Sequence, residues 1–325
     1  MAYDALDLPK ATPDRDQVKK DVDEFGYGIL TDLLSADEIA RLRDRLEEQA
    51  RLERAEGVAW LGNGGRGGNT WIGSEKNGEP APWQAVRTLP NKGRPFIDLI
   101  MNPVILDFMS HIFRGREFYL MSSNGLIIRK GAMPMVVHTD QLFVPNQTPF
   151  PYVANIMVTL SDFTADMGAT RVAPRSHLRE APKMEIDYDH MDAKNPDPIE
   201  TVAAECPAGS AIVFEGRLWH TSGASTSDKV RYSISTYYGL PFLRQQDLIP
   251  ASLHDAVYAS LSEEEKAMLG FKTNGFGRLD PRFPGDRTNT DVLNPYIPEL
   301  REGGSAHAVP VEGAKPVMPS SVRKK

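Results

Sequence analysis

Three side chains of this sequence have the types and spacing to hold a metal ion. His138 and Asp140 stand two residues apart, and His220 follows eighty residues after Asp140. Two histidines and one carboxylate form the facial triad of non-heme Fe(II) sites, which leaves positions open for other ligands. Arg231, eleven residues beyond His220, could bind a carboxylate because its guanidinium is planar and permanently charged. Together these residues predict an iron oxygenase that uses a 2-oxo acid.

The predicted ligands have to converge from separate parts of a β structure. Alternate residues of an extended segment point to the same side, so His138 and Asp140 can share one metal while Thr139 points away. His220 must return from a distant strand, and a jelly roll makes distant strands neighbours. A His-x-Asp triplet also arises by chance, so the surrounding chain has to support the assignment.

Residues 117–240 have a sequence pattern typical of a β domain, with short apolar segments separated by Gly, Pro, Asn and Asp. The candidate strands are 118–121, 126–128, 152–160, 211–214 and 232–238. Many short strands with long connections predict a double-stranded β-helix, a cupin-like jelly roll, in a mainly β protein with flanking helices.

Helical patterns flank this β region. Ser35 and Glu38 match a capping box in front of an amphipathic helix. Residues 94–114 predict a helix pair around Asn102-Pro103, and 262–269 predict a short charged helix. Along the sequence, the β region that must position the ligands therefore lies between two groups of predicted helices.

We expect a loose lead-in at 1–16, a single oxygenase domain at 17–298 with its β core at about 117–240, and a flexible Gly/Pro/Ser-rich tail at 299–325. Residues 57–75 are rich in glycine but lack the Lys-Ser/Thr ending of a phosphate-binding loop. They predict a mobile loop near the mouth of a pocket.

Composition limits the classes of partner. The formal net charge of −7 argues against a nucleic-acid partner. The single cysteine, Cys206, excludes an internal disulfide and fits a reducing, cytoplasmic compartment. The N-terminus lacks a signal-peptide pattern, and no apolar run is long enough for a membrane span. We expect a cytoplasmic enzyme with a small-molecule substrate, no membrane partner, and a homodimeric assembly.

A second motif accompanies the predicted ligands. Gly168-Ala169-Thr170 begins a stretch that continues through Pro174 to Ser176-His177. With the triplet, the distal histidine and the arginine, this stretch resembles the phytanoyl-CoA dioxygenase family of Fe(II)/2-oxoglutarate oxygenases. The resemblance covers about residues 20–280. Arg175 stands where the family usually has glycine, a departure that affects a turn and not a ligand.

The resemblance implies an iron site and a co-substrate site. The two histidines and Asp140 would bind Fe(2+), which leaves a position for O2. The residues that would bind 2-oxoglutarate are Arg231, Thr170, Arg87 and Ser233. Arg231 would pair with the distal carboxylate, and Ser233 would assist it. Met135 replaces a glutamine that many related members carry, so one polar contact to the co-substrate is missing.

The expected reaction is oxidation of an unactivated C–H position of a small organic molecule, such as a natural product or a catabolic intermediate. Related halogenases lack the carboxylate, so Asp140 indicates hydroxylation, desaturation or rearrangement. Three alternatives remain open: an acyl-CoA hydroxylase, a metal-dependent hydrolase or isomerase, and a non-catalytic binding protein on the same barrel. Arg231 favours the oxygenase over the last two, which need no 2-oxo acid.

Overall fold

A computed structural model of the protein describes residues 8–64, 70–75, 80–141, 144–187 and 192–271. Within these ranges the fold is built mainly from antiparallel strands. The strands are Tyr27–Leu30 (β1), Ala59–Gly62 (β2), Thr70–Gly73 (β3), Trp83–Val86 (β4), Tyr119–Ile128 (β5), Val153–Thr159 (β6), Thr170–Val172 (β7), Glu185–Asp187 (β8), Asp192–Lys194 (β9), Val202–Ala203 (β10), Ala211–Glu215 (β11), His220–Ser222 (β12) and Arg231–Gly239 (β13).

Among the described residues, four helices lie before β5 in the chain and three follow β13. They are Arg15–Phe25 (α1), Ala36–Ala55 (α2), Arg94–Ile100 (α3), Pro103–Ile112 (α4), Ile249–Ser252 (α5), Asp255–Ala259 (α6) and Glu263–Met268 (α7). The predicted capping box at α2 is confirmed, because Ser35 and Glu38 each accept a hydrogen bond from the other's backbone N–H. The predicted helix pair is confirmed as α3 and α4, with Asn102 capping the second helix.

The strands form one large sheet and a smaller one that together enclose the inner core. The large sheet has the order β1-β11-β6-β13-β5-β4-β2-β3, and the small sheet has the order β10-β7-β12. A further ribbon pairs β8 with β9. An apolar cluster joins the two sheets, with Met157, Ile212 and Phe214 from the large sheet and Val172 from the small one.

The other face of the large sheet packs against the helices. Ile156 and Val158 alternate with Met157 along β6 and join Leu46 of α2 in the main core. A Cβ on Gly125 would lie 2.2 Å from the Leu46 side chain, so only glycine lets α2 approach β5 this closely. The prediction of separate strands at 118–121 and 126–128 was wrong, because β5 runs unbroken from Tyr119 to Ile128.

The glycine-rich segment is partly sheet. β2 pairs with β3 and with β4, which extends the large sheet at its edge beyond β5. The prediction of a loop over 57–75 was therefore wrong for the residues of β2 and β3. Residues 65–69 lie outside the described residues. The predicted tail at 299–325 also lies outside them. None of the helices in the described ranges has the length and apolar character to cross a bilayer.

Candidate active site

The three predicted metal ligands meet between the two sheets. His138 and His220 form an antiparallel bridge, in which the N–H of His138 donates to the carbonyl of His220 at 3.0 Å and the reverse bond measures 2.9 Å. One ligand atom from each histidine and one from Asp140 all lie within 4.8 Å of one another. His138 sits in an extended segment that pairs with β12 through an isolated bridge and is not part of a regular strand. The convergence that the sequence predicts is nevertheless present.

Both imidazoles are oriented by the backbone. Nδ1 of His138 lies 2.9 Å from the carbonyl oxygen of Val136, and Nδ1 of His220 lies 3.0 Å from that of Leu218. A carbonyl only accepts, so each Nδ1 carries the proton and each Nε2 keeps a free lone pair. Nε2 of His220 lies 3.7 Å from Oδ1 of Asp140. Such outer hydrogen bonds fix the tautomer that a metal-binding histidine needs.

Asp140 is held by partners from two strands of the large sheet. The amide of Asn155 on β6 donates to Oδ2 of Asp140 at 3.0 Å. The hydroxyl of Ser235 donates to the amide oxygen of Asn155 at 3.0 Å, and the hydroxyl of Tyr237 donates to the carbonyl of Asp140 at 3.0 Å. No local sequence pattern predicts this role for Asn155. Its position on the strand that follows the triplet was the only signal.

The electrostatics of the triad suit a metal. Burial and, to a smaller extent, the neighbouring His220 lower the pKa of His138 to about 4, while Asp140 opposes the shift. His138 is therefore neutral at physiological pH. A neutral imidazole is the form that binds a metal ion, so His138 needs no deprotonation before it accepts a divalent cation.

Arg231 lies at the start of β13 and is 1% exposed. Its Nη1 donates to the carbonyl of Gly168, its guanidinium lies 4.6 Å from the ring centroid of Phe163, and its Nε is buried without a hydrogen-bond partner. No carboxylate of the described residues forms a salt bridge with it. Burial lowers the pKa of Arg231 to about 9, which still leaves it charged at neutral pH. An unpaired buried cation is costly, so this site is suited to an anion.

The other predicted co-substrate residues differ in their surroundings. Ser233, two residues from Arg231 on the same face of β13, is fully buried, and its hydroxyl has no hydrogen-bond partner among the described residues. Thr170 is buried on β7, opposite Ser222. Arg87 lies 4.4 Å above the ring of Trp60 and pairs with Asp247 at 3.4 Å. A contact between Arg87 and the co-substrate stays a prediction.

The residue that departs from the family motif occupies a turn, as expected. Arg175 has φ of 63°, in the left-handed region that glycine favours. Its guanidinium lies 4.3 Å from the ring centroid of Phe25 and pairs with Glu24, which compensates for the backbone strain. His177, in the same motif, is buried away from the triad, and burial lowers its pKa to about 4. It is a structural histidine.

Comparison with known proteins identifies the family. Residues 22–233 match the phytanoyl-CoA dioxygenase (PhyH) family. The chain belongs to this family. The match spans the triad, the Gly168 motif and Arg231, so the resemblance stated from the sequence is confirmed. As a family member the chain is a 2-oxoglutarate-dependent iron dioxygenase.

Similar proteins extend this picture. The uncharacterised protein Rv1501 of Mycobacterium tuberculosis is 28% identical over 282 residues, which is 84% of this chain and 93% of the relative. The dioxygenase af480 of Aspergillus fumigatus is 29% identical over 63% of this chain and 66% of the relative.

Solved structures of similar fold include SnoK, a non-heme alpha ketoglutarate dependent carbocyclase from nogalamycin biosynthesis. It has 22% identity and a TM-score of 0.52, and the match covers 74% of this chain and 87% of SnoK. The epimerase SnoN, solved with Fe3+, alpha ketoglutarate and nogalamycin RO, has 19% identity and a TM-score of 0.53, over 72% of this chain and 87% of SnoN. The predicted jelly-roll fold, mainly β with flanking helices, is confirmed.

Proposed function

We propose that this PhyH-family dioxygenase hydroxylates an unactivated C–H position of a small organic molecule. In this proposal His138, Asp140 and His220 bind Fe(2+). Arg231 binds the distal carboxylate of 2-oxoglutarate, with Ser233, Thr170 and Arg87 as further contacts. When bound, iron(II) supplies the activation of O2 that couples oxidation of 2-oxoglutarate to succinate and CO2 with insertion of the second oxygen atom into the substrate.

The observation that carries the proposal is the buried, unpaired guanidinium of Arg231. A charge taken out of water without a counter-ion destabilises a fold, so such a group indicates a ligand that supplies the opposite charge. Ser233 adds a buried hydroxyl with no partner on the same face. A dicarboxylate that reaches from the triad to Arg231 would satisfy both groups.

The protein's own contribution is orientation and exclusion of water. The backbone bonds to both imidazoles and the bond from Asn155 to Asp140 fix the ligand atoms before a metal arrives. Preorganised ligands of this kind lower the reorganisation needed on binding. Members of one buried apolar cluster border both ends of the candidate site: the ring of Phe214 lies 4.8 Å from that of His220, and the ring of Phe163 lies 4.6 Å from the guanidinium of Arg231. This arrangement favours oxidation inside a dry pocket over leakage of reactive species.

An anaerobic titration of the Fe(II)-loaded protein with 2-oxoglutarate tests this proposal. We expect the weak visible charge-transfer band of the iron chelate to appear in the wild-type protein. In Arg231→Ala the band should need on the order of 100-fold more 2-oxoglutarate, because loss of a buried charge-assisted pair costs about 3 kcal/mol.

Arg171→Ala is the matched control. Arg171 lies beside Thr170 on β7, and its guanidinium bonds to Thr201. Its removal should leave the titration unchanged. The absence of a band in wild-type protein that demonstrably contains iron would contradict the oxygenase assignment. Equal titrations for wild type and Arg231→Ala would contradict the role of Arg231.

A further inference from the structure

The concave face of the large sheet continues past Arg231 and Ser233 as a row of apolar side chains. Cross-strand partners project on the same face of a sheet. One such row runs from β13 to the edge strand and consists of Ser233, Leu126, Ala85, Trp60 and Ile72. Trp83 lies two residues before Ala85, with its ring edge-on to Trp60 at 5.8 Å. We name Trp60, Ile72, Trp83 and Leu126 the apolar shelf.

The described residues leave the apolar shelf incompletely covered. Ile72 is 75% exposed, and the other three members are half-buried. Leu126 lies on β5, which has a strand on each side and helices behind it, so its exposed part faces the space between the two sheets. Apolar groups exposed on an inner wall are typical of ligand-binding clefts.

The apolar shelf is continuous with the proposed iron and co-substrate sites. Leu126 is the direct cross-strand partner of Ser233, and Asn124, two residues away on β5, is the partner of Ser235. Ser235 belongs to the hydrogen-bond chain that holds Asp140. A molecule on the shelf would therefore extend toward the metal from the side of β5.

At its polar border, formed by Arg87 and Asp247, the apolar shelf meets an ion pair that carries no net charge. Arg87 lies on the face of Trp60 and forms an ion pair with Asp247, whose side chain is 11% exposed. The positive and negative groups neutralise each other. In the part that the structure describes, this border offers hydrogen bonds to a neutral polar group on the shelf but no unpaired charge to an ionised one.

We propose that the apolar shelf binds the substrate, and that this substrate is a neutral molecule with a planar ring system. The assignment rests on the proposed function, because it takes the triad as the reacting centre. Trp60 and Trp83 supply the ring contacts, since aromatic pairs gain from edge-to-face or offset packing beyond the area they bury. Ile72 forms the outer end of the shelf. The neutral border disfavours substrates whose ring carries a phosphate, carboxylate or ammonium group.

Calorimetric titration of the anaerobic protein, loaded with Fe(II) and 2-oxoglutarate, tests the shelf with three naphthalene probes. The probes are 1-naphthylmethanol, which is neutral, 1-naphthoate and 1-naphthylmethylammonium. We expect the neutral probe to bind about tenfold more tightly than either charged probe. Ile72→Lys and Trp60→Leu should each weaken its binding by about tenfold, the equivalent of one aromatic or apolar contact.

Leu178→Lys is the matched control, because Leu178 is also an exposed aliphatic residue, at 69%, and lies after β7. The Leu178→Lys variant should bind the neutral probe with the same affinity as the wild type. Equal losses in Ile72→Lys and Leu178→Lys, or tighter binding of a charged probe, would overturn the proposal. So would a wild-type protein that forms the iron chelate but binds no probe. Probe binding without the chelate would instead reject the proposed function and leave the shelf in place.

Discussion

The two ends of the candidate site differ in how completely the protein satisfies its own polar groups. At the metal end, both imidazoles and the carboxylate of Asp140 have hydrogen-bond partners from the backbone or from Asn155. At the other end, Arg231 has one bond to a carbonyl, and its Nε and the hydroxyl of Ser233 have no partner among the described residues. The first end is preorganised, and the second is left for a ligand to complete.

This difference predicts how the two ends respond to substitution. Substitutions at the metal end should lower metal affinity, because they remove a ligand or loosen one. Removal of the charge at the arginine end should weaken co-substrate binding on the order of 100-fold, while it relieves the ligand-free fold of a buried charge. The following predictions test this contrast.

Asp140→Ala should have the largest effect. Loss of a direct ligand should weaken Fe(II) binding by more than about 100-fold, which is the upper range for loss of an outer partner. Equilibrium dialysis under anaerobic conditions measures the affinity. Asp228→Ala, which removes an exposed carboxylate that pairs with Lys130, is the control and should bind iron normally. Retention of wild-type affinity by Asp140→Ala would refute the triad.

Asn155→Ala should weaken Fe(II) binding by about 10- to 100-fold, because Asp140 loses the donor that orients it. The same dialysis measures this loss. Asn91→Ser serves as the control, since the side chain of Asn91 bonds to the carbonyl of Ser252 and the N–H of His254 and not to a member of the triad. A change in Asn155→Ala smaller than twofold would mean that the metal end is not preorganised by this residue.

Arg231→Met should increase the free energy of unfolding of the ligand-free protein by about 1 kcal/mol, since an unpaired buried charge is replaced by an apolar chain. The contrasting variant is Arg217→Met. Arg217 pairs with the buried Glu215, so its loss should cost about 3 kcal/mol. Urea unfolding without 2-oxoglutarate measures both values. A large destabilisation in Arg231→Met would show that the protein itself satisfies this arginine.

Arg87→Ala should have the smallest effect, a loss of about fivefold in 2-oxoglutarate affinity, because a partly exposed hydrogen bond contributes about 1 kcal/mol. The chelate titration measures it, with Arg116→Ala as the control for an arginine that packs on an aromatic ring elsewhere. An unchanged affinity would restrict Arg87 to its contacts with Asp247 and Trp60, at the border of the apolar shelf.

The sequence was most informative where the signal is local. A capping box needs two side chains three residues apart, so Ser35 and Glu38 marked the start of α2 correctly. The ligands His138 and Asp140 follow from the alternation of an extended chain. The family motif contributed the distant partners His220 and Arg231, whose separation no local pattern can bridge.

The sequence was least informative where a residue depends on a distant neighbour. Gly125 falls in the gap between two predicted strands, but it allows Leu46 of a separate helix to pack against an unbroken strand. Asn155 can orient Asp140 only because of the register between β6 and β13. The strands β2 and β3 were missed for a related reason, since their pairing overrides the low strand propensity of a glycine-rich segment.

The bridge between His138 and His220 also has a consequence for folding. It closes a loop of about eighty residues, and closing so long a loop carries a large entropic cost. The triad therefore depends on long-range β pairing and not on local structure. An ion bound to all three ligands would link the two ends of that loop and, because it binds only the folded chain, would stabilise the native state.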